Sequence, residues 1–404
     1  MQRNRYREGK KMKRRRISAC GTVLPLAAAM FTGCTLGCRI QMDTHYLLTG
    51  LILVGLYAAY ILCSRQGRHP GTYPVCLVCF LLFGMELVGS QPEKEPRTAA
   101  QSPVTTAAAS MNRVVCERID TLSFRYSLNE RLAIQTSASL KALLMGNKSG
   151  ISKETAGRFK LSGTIHLLAL SGLHVGIIYL FVSLFFIGIP AYGNWRILKS
   201  ILILLSIWGF ALITGLSIST IRASIFVTIR EISRLFHRSP SSGDVLGTTA
   251  ILMLSSRPGY ALDLGFQMSF AAVAGIVLLV TPVNRFYKDT TADLLHRIQL
   301  TESHGKTYRK TVSALIRLTY RLVSNLTITA ICQLTSGSIA LYHFRVYPRF
   351  FLLANLLAIP AATVSVFTGM ILLILGGIPP IGKIACVTLN LSIFVLENVA
   401  EIFA

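Results

Sequence analysis

Apolar segments of roughly the length needed to cross a bilayer recur along the whole chain, and they constrain its fold more than any other feature. A backbone surrounded by hydrocarbon must satisfy its own hydrogen bonds, and α-helices do so. The apolar segments are residues 20–38, 46–63, 73–90, 163–190, 197–215, 260–283, 322–344, 350–378 and 381–404. The sequence therefore predicts an all-α polytopic integral membrane protein, a helical bundle of about eight to ten transmembrane helices.

Composition and charge placement support this interpretation. Hydrophobic residues make up 52% of the 404 residues and charged residues 14%, whereas soluble domains carry roughly 25% charged residues. The net charge of +24 is also typical of nucleic-acid-binding domains, but nine of the first sixteen residues are Lys or Arg. Because basic residues accumulate on the cytoplasmic side, we expect a multi-pass protein with a cytoplasmic N-terminus.

The chain divides into three predicted regions. Residues 1–90 hold the basic N-terminus and three spans, residues 91–161 form a short extracytoplasmic segment, and residues 162–404 form the main transmembrane domain. Residues 91–110 are rich in Pro, Ser, Thr and Ala, which indicates a flexible exit from the membrane. Leucine spacing predicts an amphipathic helix over residues 128–144. The basic loop 284–321 lies on the cytoplasmic side if residues 217–256 cross the membrane an even number of times.

The nine cysteines do not indicate a metal site. All but Cys116 lie in or beside apolar segments, and the Cys76–Cys79 pair has no second pair or nearby His to complete a zinc site. We interpret them as packing residues and expect neither a metal nor another cofactor. Phe31 to Cys34 also resembles a lipoprotein signal, and this stays open as an alternative for the first span.

Residues 166–174, His-Leu-Leu-Ala-Leu-Ser-Gly-Leu-His, place polar groups inside an apolar run. An unpaired imidazole or hydroxyl costs several kcal/mol in hydrocarbon, so these side chains should face protein or a water-filled path. His166, Ser171 and His174 are therefore candidate functional residues. The polar residues favour a break at Ser171-Gly172 into re-entrant or broken helices, with a straight span as the alternative.

Two further polar blocks follow. Arg222 comes after a hydroxyl-rich turn. On a helix it would share one broad side with Arg230 and Arg234. The three arginines either form a cationic stripe that binds phosphates or extend their side chains to a membrane interface. The block Asp263-Leu-Gly-Phe-Gln-Met-Ser-Phe opens a later apolar run. Asp263 is either a counter-ion for Arg222 within the membrane or the cap of a helix.

These blocks resemble the competence domain of ComEC-type proteins. The family pattern His-Leu-Leu-Ala-hydrophobic-Ser-Gly-Leu-His stands here in full, after Phe159 and Gly163. A small-residue turn followed by Arg-Ala matches residues 219–223, and an Asp-x-Gly-Phe-Gln-x-Ser-Phe block matches residues 263–270. Two later family features follow in the same order, an aromatic cluster at residues 342–344 and the sequence Asn-Leu-Leu-Ala-Ile-Pro at residues 355–360.

The resemblance implies an inner-membrane channel component that takes up single-stranded DNA during natural transformation. The implied DNA-path residues, none of them catalytic, are His166, Ser171, Gly172, His174, Arg222, Asp263, Phe266, Gln267 and Ser269. For Phe266 and Phe270, base stacking competes with ordinary packing. The alternatives are an intramembrane hydrolase that uses Ser171 and His174, and a small-solute transporter.

The resemblance also implies partners besides DNA and membrane lipid. They are a periplasmic DNA-binding competence protein and a cytoplasmic helicase-like motor, and a homo-oligomer is an open alternative. The sequence has no phosphate-binding loop that would supply energy, since residues 304–307 lack the upstream glycine. The outer segment is shorter than the family's OB-like domain, and the chain lacks the His-x-His-x-Asp-His zinc signature of many relatives. We therefore expect no nuclease activity.

Overall fold

A computed structural model describes residues 23–37, 78, 80–85, 103–127, 129–190, 192–280, 283, 287, 306–345 and 348–404. These residues form α-helices and short 3₁₀ and π stretches, without a strand. The α-helices, in chain order, are α1 Val23–Gly37, α2 Pro103–Tyr126, α3 Glu130–Met145, α4 Lys153–Leu161, α5 Gly172–Phe185, α6 Gly193–Ile213, α7 Ile218–Leu235, α8 Ser242–Ser256, α9 Leu264–Gly275, α10 Lys306–Cys332, α11 Ser338–Phe344, α12 Phe351–Leu375 and α13 Pro379–Ile402.

Three of these helices, α6, α12 and α13, are long and apolar enough to cross a membrane. The 25 residues of α12 extend over about 38 Å, which exceeds the roughly 30 Å of a hydrocarbon core. Shorter apolar helices occur at Val23–Leu36, Gly172–Phe185 and Leu264–Val280. The all-helical prediction is confirmed for the described residues. The predicted span 46–63, most of 73–90 and the basic residues 1–16 lie outside them.

The helices form two compact units. One unit contains residues 99–224 and 279–404, and its centre is the helical hairpin of α12 and α13. Pro379 and Pro380 begin α13, where a missing backbone N–H does no harm. The hydroxyls of Ser365 and Ser392 lie 2.8 Å apart and join the two helices in their buried interface. Helices α2, α3, α4, α5 and α10 pack on this hairpin, whereas α6 packs against α2 and α5.

The α2–α3 pair packs against this hairpin. Leu140 of α3 is fully buried, and a β-carbon added at Gly369 of α12 would overlap its side chain. The Tyr126 hydroxyl at the end of α2 donates a 2.8 Å hydrogen bond to the Gly376 carbonyl in the hairpin turn, and its ring covers Gly382. The segment predicted as a short external piece therefore contributes helices to the same core as the C-terminal hairpin. Its side of the membrane stays a prediction.

A row of polar contacts joins α3 to α13. The Thr136 hydroxyl donates to the Asn390 side-chain oxygen at 2.6 Å, and the Ser139 hydroxyl donates to the Glu397 carboxylate at 2.8 Å. Gln135 donates to the same carboxylate. These donors compensate a carboxylate and an amide in a helix that is apolar enough to cross a membrane, where both groups would be costly to bury without partners. The polar residues of α3 thus fix its register along α13.

The other unit contains residues 1–98 and 225–278. Its helices α1 and α8 pack closely, since a β-carbon added at Gly247 would meet the backbone of Val23 and Leu24. A β-carbon at Gly33 of α1 would likewise overlap the Leu81 backbone in the helical residues 80–85. Glycines at these crossings let two backbones approach closely, as in many membrane helix pairs. Cys34 is buried in α1, consistent with the packing interpretation of the cysteines.

Candidate functional site

Residues 163–190 do not form one straight helix. A 3₁₀ turn at Ile165–Leu167 is followed by extended backbone at Ser171, and α5 begins at Gly172. The predicted break at Ser171-Gly172 is therefore confirmed. The helix is held against α12 by an edge-to-face contact between Phe181 and Phe367, whose ring centroids are 5.2 Å apart. The break leaves a helix N-terminus inside an apolar region, where its backbone N–H groups need acceptors.

His174 and Ser171 satisfy part of this helix start. The Ser171 backbone N–H donates to the His174 Nδ1 at 3.3 Å, and the Ser171 hydroxyl lies 2.9 Å from the same nitrogen. The imidazole thus takes the place that a Glu or Gln side chain occupies in a capping box. Because a backbone N–H can only donate, Nδ1 is an acceptor, and a neutral His174 carries its proton on Nε2.

The Nε2 of His174 has no hydrogen-bond partner among the described residues, although the side chain is only 1% exposed. A buried donor without a partner costs about 1–3 kcal/mol, and native structures rarely keep one without a reason. The His166 Nδ1 lies 3.0 Å from the Gly163 carbonyl and must donate to it. A neutral His166 therefore presents an acceptor Nε2, whereas His174 presents a donor.

Arg222 reaches the same helix start. The turn before α7 has positive φ at Gly215 (81°) and Leu216 (52°), and the Ser217 hydroxyl then accepts the Thr220 backbone N–H at 3.2 Å. One turn further along, the Arg222 side chain is buried. A β-carbon added at Gly172 would lie 3.0 Å from the Arg222 Nη2. Gly172 thus leaves room for a guanidinium at the first residue of α5, beside His174 and Ser171.

Asn355 is a candidate residue that our sequence analysis did not select. It is buried in the second turn of α12, and its side-chain oxygen has no hydrogen-bond partner among the described residues. The turn before His166 approaches this end of α12, because Gly163, at φ 78°, lies against Pro348 and Phe351. The Asn-Leu-Leu-Ala-Ile-Pro match was the signal that could have identified Asn355.

The third block, residues 263–270, lies in the other unit and builds a helix start. The Asp263 carboxylate accepts the Phe266 backbone N–H at 2.9 Å, and Gln267 donates to the Ala261 carbonyl at 2.8 Å. The capping interpretation of Asp263 is thus confirmed, whereas its pairing with Arg222 stays a prediction. Phe266 is buried between Phe31 and Tyr260 and beside Phe270.

The aromatic contacts give Phe266 a packing role. Its ring is nearly parallel to that of Phe31, at 6.2 Å between centroids, and lies 4.2 Å from that of Phe270. Ser269 is half-buried, and its place in a DNA path stays a prediction. Arg230 and Arg234 are exposed: Arg230 donates to the Ser242 hydroxyl at 2.9 Å, and Arg234 pairs with the buried Glu231 at 2.8 Å.

The Ser171–His174 contact is also short enough for an imidazole to activate a serine. In nucleophilic triads, however, a carboxylate orients the opposite ring nitrogen. The Nε2 of His174 has no such partner within the described residues, and Nδ1 also receives the Ser171 backbone N–H. Nor does any group of three His, Cys, Asp or Glu residues in the described part of the chain suit a metal ion. The geometry favours a helix start over a hydrolase site.

Comparisons with known proteins cover this region. A protein-family model described as Competence protein matches residues 143–404. ComE operon protein 3 of Bacillus subtilis (strain 168) is 27% identical to the chain over 259 residues, which represent 64% of this chain and 28% of that protein. The chain thus spans little more than a quarter of that relative's length. No solved structure matches it. The matched region includes the whole candidate site.

Proposed function

Because this chain belongs to the competence protein family, we propose that it is an inner-membrane channel component that admits single-stranded DNA to the cytoplasm during natural transformation. One observation carries the proposal: the Arg222 guanidinium lies against Gly172 at a helix start inside an otherwise apolar region, and the buried His174 donor belongs to the same first turn. Polar groups at such a depth are expensive, and they mark substrate or ion pathways in membrane proteins.

The chemistry of the site suits a polyanion. A DNA strand enters a low-dielectric path only where donors and positive charge replace its hydration. Arg222 supplies a permanent charge, His174 supplies an N–H donor, and the first N–H groups of α5 add the positive end of a helix dipole. Asn355 offers an amide that can contact either a phosphate or a base edge. In this proposal Gly172 keeps the path open, because a side chain there would occupy the position of the guanidinium.

The proposal includes the finer architecture. The protein would be a bundle of about eight to ten transmembrane helices, with a cytoplasmic N-terminus, an extracytoplasmic segment at residues 91–161 and a competence-type domain at residues 162–404. The three span-length apolar helices and the shorter ones support a membrane location. A cytoplasmic helicase-like motor would drive transfer, and a periplasmic DNA-binding protein would deliver the strand.

The first test is DNA uptake in a strain that lacks this gene. We expect Arg222→Ala to reduce transformation by roughly tenfold or more, because one charge-assisted contact contributes about 1.5–3 kcal/mol and 1.4 kcal/mol is a factor of ten. His174→Ala should reduce it in the same direction. Labelled donor DNA should accumulate outside the inner membrane, protected but not transferred. All variants are compared at equal amounts in the membrane fraction.

Arg257→Ala is the matched control, because Arg257 is exposed and makes no ion pair among the described residues. It should transform like the wild type. If the deletion strain imports DNA as well as the wild type while other competence components are active, the conduit proposal fails. Uptake of a small solute that depends on this gene without DNA would favour a transporter instead.

Ser171→Ala separates a conduit from a hydrolase. We propose that the chain is not an enzyme, so removal of the hydroxyl should weaken the start of α5 and reduce transformation only in part, since the Ser171 backbone N–H can still donate to His174. A serine hydrolase would lose its activity altogether. The measurement is transformation frequency for Ser171→Ala beside the inactive deletion strain, and equal values for the two would contradict a purely structural hydroxyl.

A further inference from the structure

Helix α10 differs from α6, α12 and α13, the long apolar helices of its unit. It has 27 residues, enough to cross a bilayer, yet it is not among the helices whose composition suits a span. Between residues 315 and 322 three leucines face outward along one stripe. Leu315 is 61% exposed, Leu318 53% and Leu322 42%. Residues spaced by three and four lie on one side of a helix, so the leucines form a continuous apolar stripe.

Residues 306–321 of α10 are strongly basic. Arg317 and Arg321 are exposed and lie roughly a third of a turn around the helix from the leucines. The sequence adds Lys306, Arg309 and Lys310 at the start of the helix, and no acidic residue occurs from Lys306 to Cys332. Five positive charges and an apolar stripe therefore share about four turns of helix.

We propose that residues 306–322 lie along the surface of an anionic lipid bilayer. The leucine stripe would enter the region of the upper acyl chains, and the exposed Arg317 and Arg321 side chains would bind the phosphates of acidic headgroups. A basic amphipathic helix of this kind lies in the interface plane, and each Lys or Arg near an anionic surface adds to the attraction. This contact is separate from the DNA path, so it holds whether or not the chain transports DNA.

Charge and shape favour lipid over the other occupants. A nucleic acid strand would neutralise the arginines but would leave three leucines in water, because phosphates and sugars offer no apolar surface. A second copy of the helix would cover the leucines, but it would bring five further positive charges alongside without an acidic residue to pair with them. An anionic bilayer supplies acyl chains and negative charge to the same helix.

The test uses the full chain in vesicles that mix phosphatidylglycerol and phosphatidylcholine. The two native tryptophans are replaced, as Trp195→Phe and Trp208→Phe, and Leu318→Trp becomes the reporter. Lipids brominated near the headgroup end of the acyl chain quench a nearby tryptophan. We expect brominated phosphatidylglycerol to quench roughly twofold more than brominated phosphatidylcholine at equal mole fraction, because basic side chains enrich acidic lipid. Arg317→Gln with Arg321→Gln should remove the difference.

Tyr320→Trp is the matched reporter, because this half-buried residue lies on the opposite side of α10 and should be quenched weakly by both lipids. Leu315→Trp repeats the measurement on the leucine stripe if the first variant folds poorly. Weak quenching at both leucine positions would overturn the proposal, and so would equal quenching by the two lipids. Relief of quenching by an oligonucleotide would assign the stripe to nucleic acid instead. None of these results depends on transformation.

Discussion

Transformation should fall by roughly tenfold to a hundredfold when Gly172 is replaced by leucine, because the extra volume at this packed site carries about 1–3 kcal/mol of strain. A β-carbon at this position already lies 3.0 Å from the Arg222 Nη2, and the rest of a leucine would occupy the space of the guanidinium. Since Arg222 is buried, its side chain has little room to move aside. The Gly172→Leu protein should still insert into the membrane, because leucine is a good helix former.

Gly176→Leu is the matched control for this prediction. Gly176 lies one turn further along α5, and a β-carbon there meets no atom within 4 Å. The measurement is transformation frequency, with each variant quantified in the membrane fraction. An equal decrease in transformation for Gly172→Leu and Gly176→Leu would mean that α5 tolerates no added volume at either position. That result would contradict a specific role for the contact between Gly172 and Arg222. Gly172→Ala should give an intermediate value, because it adds only the β-carbon.

Leu140→Ala should destabilise the protein by about 2–5 kcal/mol, the usual range for a leucine removed from a close-packed core. Leu140 is fully buried in α3 and packs directly against Gly369 of α12, so its removal leaves a cavity between two helices. The measurement is the midpoint of thermal unfolding for the purified protein in a mild detergent. We expect a marked decrease together with a smaller amount of protein in the membrane.

Ile134→Ala provides the comparison on the same helix. Ile134 is 52% exposed, so its replacement should change the midpoint only slightly. The two substitutions together also test whether residues 130–145 belong to the helical core or lie outside it. If both substitutions have the same small effect, α3 contributes little to the fold and the contacts with α12 and α13 do not hold the unit together.

Local features of the site were predictable from the sequence because short-range physics determines them. A polar Ser-Gly pair in an apolar run predicts a helix break, and α5 begins at that glycine. An Asp at the start of an apolar run predicts a helix cap, and the Asp263 carboxylate accepts the Phe266 backbone N–H three residues later. In both cases a few neighbouring residues decide the outcome, so no knowledge of the packing was needed.

Contacts between distant segments were not predictable in this way. Residues 91–161 are polar enough to suggest an external segment, yet Thr136 and Ser139 face Asn390 and Glu397 in the last helix. The polar face of α3 therefore contacts polar groups of α13 that lie more than 250 residues further along the sequence. Asn355 was missed for the same reason, since its burial depends on how α12 packs. Periodicity alone does not reveal which helix faces which.

The Tyr126–Gly376 hydrogen bond has a consequence for biosynthesis. The two residues are 250 positions apart, so at about 5–20 residues per second the ribosome needs roughly 13–50 s to deliver the second after the first. During that interval the nascent α2–α3 pair has no hairpin to cover its leucines. The core of this unit therefore cannot close until the hairpin of α12 and α13 has been synthesised, and the α2–α3 pair must persist without its partner until then.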